Sequence, residues 1–257
     1  MTQKDYVMEL NQIKQAARMI REKKTGTVFT GAGISTGSGI PDFRSSKGIW
    51  SRFDIREYGS IDSFKENPEK VWKFFSEIEK SFLKTSPNPG HFALAEMEKL
   101  GHLEAVVTQN IDGLHKRAGS RAIYEIHGSL DEMVCLVCKK RYSSSSALVK
   151  RENMFPYCEC GEILKPGVVF FGEALPEKIF EEALSLTLKN HFIILVGASL
   201  QVYPAAQIPF LAKRNGLAVI EINLEKTSMT SRISDVFIQG KTEEILPILV
   251  DELKEKV

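Results

Sequence analysis

A short apolar run that stops abruptly at glycine constrains this chain more than any other feature. Thr27, Val28, Phe29 and Thr30 are β-branched or aromatic, the residue types that suit a buried strand. Gly31, Ala32 and Gly33 follow at once. A strand that opens into a glycine turn lets bare backbone N–H groups approach a pyrophosphate, which is how open α/β sheets hold nucleotides. A Cβ would block that approach, and such a turn can require positive φ. A plain tight turn is the other reading of an isolated Gly-x-Gly. The spacing also departs from Gly-x-Gly-x-x-Gly, because Thr36 stands where the third glycine would be and the next glycines are Gly37 and Gly39. The tail, Gly39 to Arg44, then crowds Asp42, Phe43 and Arg44 into a loop, as chemistry-bearing loops do.

The rest of the chain repeats the same grammar. Val7, Leu10, Ile13, Ala17 and Ile20 have a helical period. Short apolar runs at 105–108, 122–126, 192–196, 217–222 and 236–238 read as strands. Helical patterns lie at 67–83, 91–100, 113–118, 176–188, 203–214 and 242–256. This alternation predicts an α/β fold, a doubly wound parallel Rossmann-like sheet with right-handed crossovers. The segment 45–103 reads as a helical insertion. With 257 residues, 43% of them hydrophobic and 26% charged, the chain can hold one large α/β domain plus an insertion. A net charge of +1 supplies no field that argues for nucleic acid or a membrane surface. No apolar run approaches the roughly 20 residues that span a bilayer, and residues 1–12 lack the apolar core of a secretory signal. The expected location is the cytoplasm.

Candidate chemistry gathers where strands end. Gln109, Asn110, Ile111 and Asp112 close the 105–108 strand, and the carboxyl ends of strands are where open α/β sheets bind ligands. Asn and Asp are also good helix caps, but three polar residues among these four exceed what a cap needs. His127 stands before Gly128 at a strand end and is a candidate acid or base, its unperturbed pKa of about 6.5 suiting proton transfer near neutrality. A lone histidine is more often structural, and His91, at a helix start, is read that way. Gly197, Ala198 and Ser199 follow another strand, and Asn223 ends the next. Cys135 and Cys138 form a Cys-x-x-Cys pair and Cys158 and Cys160 a shorter Cys-x-Cys pair. In a cytoplasmic chain such a cluster argues for metal rather than disulfides. Four sulfur ligands close a tetrahedral Zn²⁺ site and make it structural.

Taken in order, Gly31–Ser35, Ile40–Arg44, Gln109–Asp112, His127–Gly128, the four cysteines and Val169–Glu173 resemble the sirtuins, the Sir2 family of NAD-dependent protein deacylases. The resemblance runs from about residue 25 to 245. It implies a large Rossmann-like domain over 1–44, 104–127 and 174–257. It implies a small domain built from a helical module (45–103) and a zinc-binding module (128–173). NAD would be consumed as a co-substrate, with nicotinamide, O-acetyl-ADP-ribose and free lysine as products. His127 would be the general base. Ala32, Gly33 and Thr36 would lie along the phosphates, Arg44 would face the pyrophosphate, and Phe43 would cover the reacting ribose carbon. Ile111 and Asp112 would hold the nicotinamide carboxamide, with Gln109 and Asn110 beside them. Gly197, Ala198, Ser199 and Asn223 would meet the adenosine half. An acetyl-lysine protein would bind as an added strand between Val169, Phe171, Gly172 and Glu173 on one side and 201–203, Val202 among them, on the other. Members that remove succinyl or malonyl groups carry a Tyr-x-x-Arg pair. Phe75 and Ile78 stand in its place here, which implies a preference for acetyl or longer uncharged acyl groups.

Three rival readings remain at this level. A dehydrogenase would need an acidic residue about 20 positions beyond the glycine turn, and only Asp54 is near. Mono-ADP-ribosyl transfer would use the same NAD site but leave ADP-ribose on a protein. A zinc-stapled NAD-sensing module would bind NAD without releasing nicotinamide.

Overall fold

The computed structural model describes residues 3–42, 48, 51, 53–145, 150–152 and 155–255. The chain runs through α1 (Gln3–Lys23), β1 (Gly26–Thr30), α2 (Ile55–Tyr58), α3 (Ile61–Glu66), α4 (Pro68–Phe82), α5 (Pro89–Lys99) and β2 (Leu103–Thr108). Next come α6 (Leu114–Arg117), β3 (Ile123–Glu125), β4 (Gly128–Val134), β5 (Arg141–Ser143), β6 (Lys150–Glu152), β7 (Phe155–Tyr157) and β8 (Lys165–Val168). The last part holds α7 (Glu177–Lys189), β9 (Phe192–Val196), α8 (Gln207–Arg214), β10 (Ala218–Asn223), α9 (Thr230–Ile233), β11 (Val236–Gln239) and α10 (Thr242–Lys254).

Six strands form one parallel sheet in the order β11-β10-β9-β1-β2-β3. Every residue of β1 and β9 is buried, which is why both read as unbroken apolar runs. Successive side chains of a strand point to opposite faces, so Val28 and Phe29 serve different cores. Val28 packs with Ile13 and Ile20 of α1 and with Leu246 and Leu249 of α10. Phe29 packs with Ala183 of α7 and with Ile208 and Ala212 of α8. The order places β1 between β2 and β9, so the chain winds outward from β1 first one way and then the other. Ligands of open α/β sheets bind at that reversal, outside the carboxyl ends of the strands.

A second unit is built from short antiparallel sheets, β5-β4-β8 and the β6-β7 pair. Its core is shared. Val71, Trp72, Phe74 and Phe75 of α4 pack with Met133, Tyr142, Phe155, Leu164 and Phe170. The Trp72 indole donates to the Leu164 carbonyl at 2.6 Å, so the buried polar end of that ring is satisfied across the two segments.

Two elements differ from the expectation. The helix expected at 203–214 starts only at Gln207, after a turn over 203–206. Helix α5, grouped above with the 45–103 insertion, buries Ala93, Leu94 and Met97 in the core of the large sheet. Its sequence pattern marks an apolar face but cannot say which core that face meets.

Candidate active site at the strand ends

Where β1 meets β9, glycines interlock. Gly31 N–H donates to the Val196 carbonyl at 3.0 Å and Gly33 N–H to the Gly197 carbonyl at 2.9 Å. A Cβ on Gly33 would lie 2.6 Å from the Gly197 Cα, and Gly197 itself has φ +56. Glycine is therefore required on both sides of this contact. Asn223, at the end of β10, donates its side-chain amide to the Ala198 carbonyl at 3.3 Å. Ala32, Gly33, Gly197, Ala198 and Asn223 are thus drawn together across three strand ends, with Ser199 exposed beside them. The Thr36 hydroxyl, expected along the phosphates, donates to the Gly33 carbonyl at 2.9 Å.

On the β2 side a hydrogen-bonded cluster backs a cleft. Ser35 Oγ donates to Asp112 Oδ2 at 2.7 Å, and Asn110 Nδ2 donates to Ser35 Oγ and to the Gly31 carbonyl, each at 3.2 Å. Beneath lie two buried imidazoles, His91 and His115, with ring centroids 4.9 Å apart. His91 Nε2 is 3.5 Å from Ser35 Oγ, and its Nδ1 accepts the Asn88 N–H in a capping box. Burial holds His91 down to about 4 and His115 well below its ordinary value, so both are neutral. Burial pushes Asp112 upward, opposed by bonds from the Leu114 N–H and Ser35. The cleft is small, opens to solvent and is lined by Ala32, Ser35, Ile40, Phe82, Asn110, Ile111 and Asp112. Ser35, Ile40 and Phe82 were not among the predicted site residues. Phe82 ends an apolar helix stripe that reads as core, and nothing local marks it as a cleft wall.

His127 follows β3 and faces the same region. Its Nδ1 lies 3.1 Å from the Gln109 carbonyl, which can only accept, so Nδ1 carries the proton and Nε2 is left as the base. Burial lowers its pKa, while the bond to Gln109 opposes that. Gly128 comes next with φ +75, where an added Cβ would sit 2.0 Å from the Gly167 carbonyl. The histidine carbonyl accepts the Val169 N–H at 2.8 Å, joining it to the 169–173 segment. In that segment Phe171 is exposed and Gly172 has φ +89. Across the chain Gln201 and Tyr203 are exposed, with Val202 half-buried between them. Phe43 and Arg44 lie outside the described residues.

The four cysteines converge despite the short second pair. Their sulfurs all lie within 4.8 Å of one another, with Cys135–Cys160 at 3.5 Å and Cys138–Cys158 at 3.4 Å. These separations exceed a disulfide of about 2.05 Å. They approach the roughly 3.8 Å edge of a tetrahedron with Zn–S bonds of about 2.3 Å. Gly161, with φ +93, turns the chain behind Cys160. The donor set therefore fits a four-thiolate metal site.

A sequence model of the Sir2 family matches residues 31–204. The chain is 45% identical to NAD-dependent protein deacylase 2 of Archaeoglobus fulgidus, over 95% of this chain and 97% of that protein. The chain belongs to the Sir2 family. A solved Sir2 homologue in complex with NAD superimposes with a TM-score of 0.85 at 39% identity, covering 93% of each chain. A Sir2 mutant with deacetylated p53 peptide and 3'-O-acetyl ADP ribose gives 0.83 at 35%, over 93% of this chain and 98% of that one. In this Sir2 chain the Asn110 amide joins the β2 end to the interlocked glycines through the Gly31 carbonyl, and His127 is bonded to the neighbouring Gln109 carbonyl. Among the described residues, no helix is long and apolar enough to cross a membrane.

Proposed function

We propose that this chain deacylates protein lysines at the expense of NAD, with the cleft at the ends of β1, β2 and β9 as the reaction centre. The observation that carries the reading is His127, its Nδ1 held by the carbonyl of Gln109, the residue before the Asn110–Asp112 cleft wall and the interlocked glycines. The acyl oxygen of the lysine attacks the ribose carbon that bears nicotinamide, and nicotinamide leaves. His127 Nε2, neutral at pH 7 because burial holds its pKa down, takes the proton of a ribose hydroxyl. That hydroxyl attacks the imidate carbon, and water completes transfer to give O-acyl-ADP-ribose and free lysine. Related Sir2 structures hold NAD, or 3'-O-acetyl ADP ribose with a deacetylated p53 peptide, the co-substrate and the products this reading calls for. Asp112, held by Ser35 and the Leu114 N–H, is positioned to bind the nicotinamide carboxamide. Gly33, Gly197, Ala198, Ser199 and Asn223 take the diphosphate and adenosine, with Phe43 and Arg44 completing the cofactor loop.

The small unit, residues 53–85 with 128–173, grips the substrate strand. Cys135, Cys138, Cys158 and Cys160 would hold Zn²⁺, which would supply structure rather than chemistry. The acyl end meets apolar groups. Phe75 is buried and stacked on Phe170 with centroids 5.2 Å apart, and Ile78 packs in the same core. Neither can pair with an acyl carboxylate, so uncharged acyl groups are preferred. Free thiols in place of disulfides fit a cytoplasmic protein.

The test is to incubate the protein with NAD and either acetyl-lysine or succinyl-lysine peptide and to identify products by mass spectrometry. Nicotinamide, O-acetyl-ADP-ribose and free-lysine peptide are expected from the acetyl substrate, with much slower turnover of succinyl-lysine and no NADH absorbance. ADP-ribose found on protein would shift the assignment to ADP-ribosyl transfer. NADH would make the chain a dehydrogenase.

A further inference from the structure

Lys165 carries its charge into a place where lysine is seldom found. The residue is 3% exposed, at the start of β8, an edge strand of the small antiparallel sheet. All three ammonium donors are used. Nζ donates to the Pro166 carbonyl at 2.9 Å and the Val168 carbonyl at 2.5 Å, and it pairs with Glu173 Oε2 at 3.0 Å. It also stands 4.2 Å from the centroid of the Phe170 ring. The same Glu173 oxygen accepts the Phe170 N–H at 2.8 Å. The pair therefore ties the start of β8 to Glu173, whose carboxylate in turn closes the 169–173 turn on the Phe170 N–H.

This turn is also tied at two further points. Val169 N–H reaches the His127 carbonyl at 2.8 Å. Phe171 pairs through its own N–H and carbonyl with the Gly59 carbonyl and the Ile61 N–H, at 2.8 and 3.0 Å. The backbone that leads from the catalytic histidine to the exposed Phe171 is thus fixed from both sides, and Lys165 supplies its only buried charge among the described residues.

Net stability is a poor explanation for such a pair. Desolvation of two charges tends to cancel their attraction, and apolar replacements of similar volume are often neutral or stabilising. Burial indeed holds the Lys165 ammonium below its ordinary value, against the pull of Glu173. What an ion pair with three fixed acceptors does provide is a single conformation for the turn.

We infer that the Lys165–Glu173 pair is a positioning device for the acyl-lysine substrate: it holds residues 169–173 as a preformed edge for the incoming strand, in register with His127. The inference rests on the deacylase reading above. It makes Lys165 a positioning residue that touches neither substrate nor NAD, and it predicts that losing the charge loosens the peptide site while leaving the cofactor site alone.

The experiment is steady-state kinetics of Lys165→Met and Lys165→Arg beside the wild type, with acetyl-lysine peptide and NAD varied separately. Wild-type turnover in the same assay checks the deacylase reading on its own. Lys165→Met, similar in length and uncharged, is expected to raise the peptide KM about tenfold, the worth of one charge-assisted hydrogen bond, with the NAD KM unchanged. Lys165→Arg keeps the charge and should recover most of the lost peptide affinity. If Lys165→Met fails to fold, Lys165→Gln serves instead, since it keeps a polar donor for the Pro166 and Val168 carbonyls while the charge is gone. The same separation of the two KM values is expected there. A peptide KM within about twofold of wild type, or both KM values rising together, would overturn the proposal.

Discussion

His91 and His115 are imidazoles held away from water. Both imidazoles are buried and neutral beneath the cleft, with His91 held at about 4. An unfolded histidine titrates at about 6.5, so below that pH the unfolded chain binds protons that the folded chain refuses. Their contribution to stability is thus complete above about pH 6.5 and is lost as the pH falls toward 4. For His91 the shift amounts to something on the order of 3 kcal/mol, and His115 acts in the same direction. Urea unfolding of the wild type between pH 7 and 5 should show a falling midpoint. His91→Gln keeps an acceptor for the Asn88 N–H and should flatten that fall. A midpoint that is equally steep in both proteins would contradict this account. His127 was legible as an acid–base candidate because a histidine before glycine at a strand end is conspicuous. Its tautomer was not legible, because the carbonyl that fixes it belongs to Gln109, just past the end of β2.

The strands were readable because burial on both faces demands continuous β-branched and aromatic runs, as in Gly26–Thr30 and Phe192–Val196. Helix partners were less readable. The stripe of α4 and that of α5 look alike in sequence, yet one packs under the cysteine segment and the other on the large sheet. Phe82 joins Ser35 and Ile40 of the loop after β1 in lining the cleft although it lies more than forty residues further along the chain, and no local pattern announces that meeting. The cysteine segment makes its own prediction. Cys135 and Cys158 sit in the same core as Trp72, Phe75 and Leu164. A metal held by those thiolates would tie this core together, because short strands of three or four residues bury little on their own. Chelation by a strong zinc ligand should release one metal ion per chain, lower the melting temperature and abolish turnover. A chelated protein with unchanged melting temperature and full activity would remove the metal from the account.

Across the whole molecule, one sheet and one small unit each bring half of a reaction centre. The sheet's reversal at β1 sets the glycine contacts and Asp112. The strand that leaves it at Glu125 leads through His127 directly into β4 of the small unit. His127 therefore stands where the large sheet passes into the small unit, between the proposed cofactor and substrate sites. The direct measurement is O-acetyl-ADP-ribose formation by wild type and His127→Ala, from NAD and an acetyl-lysine peptide, at pH 7. Loss of a general base predicts a drop of at least about 100-fold in the variant, with NAD and peptide still bound. A variant that forms the product at the wild-type rate would show that His127 is not the base and would contradict the central claim.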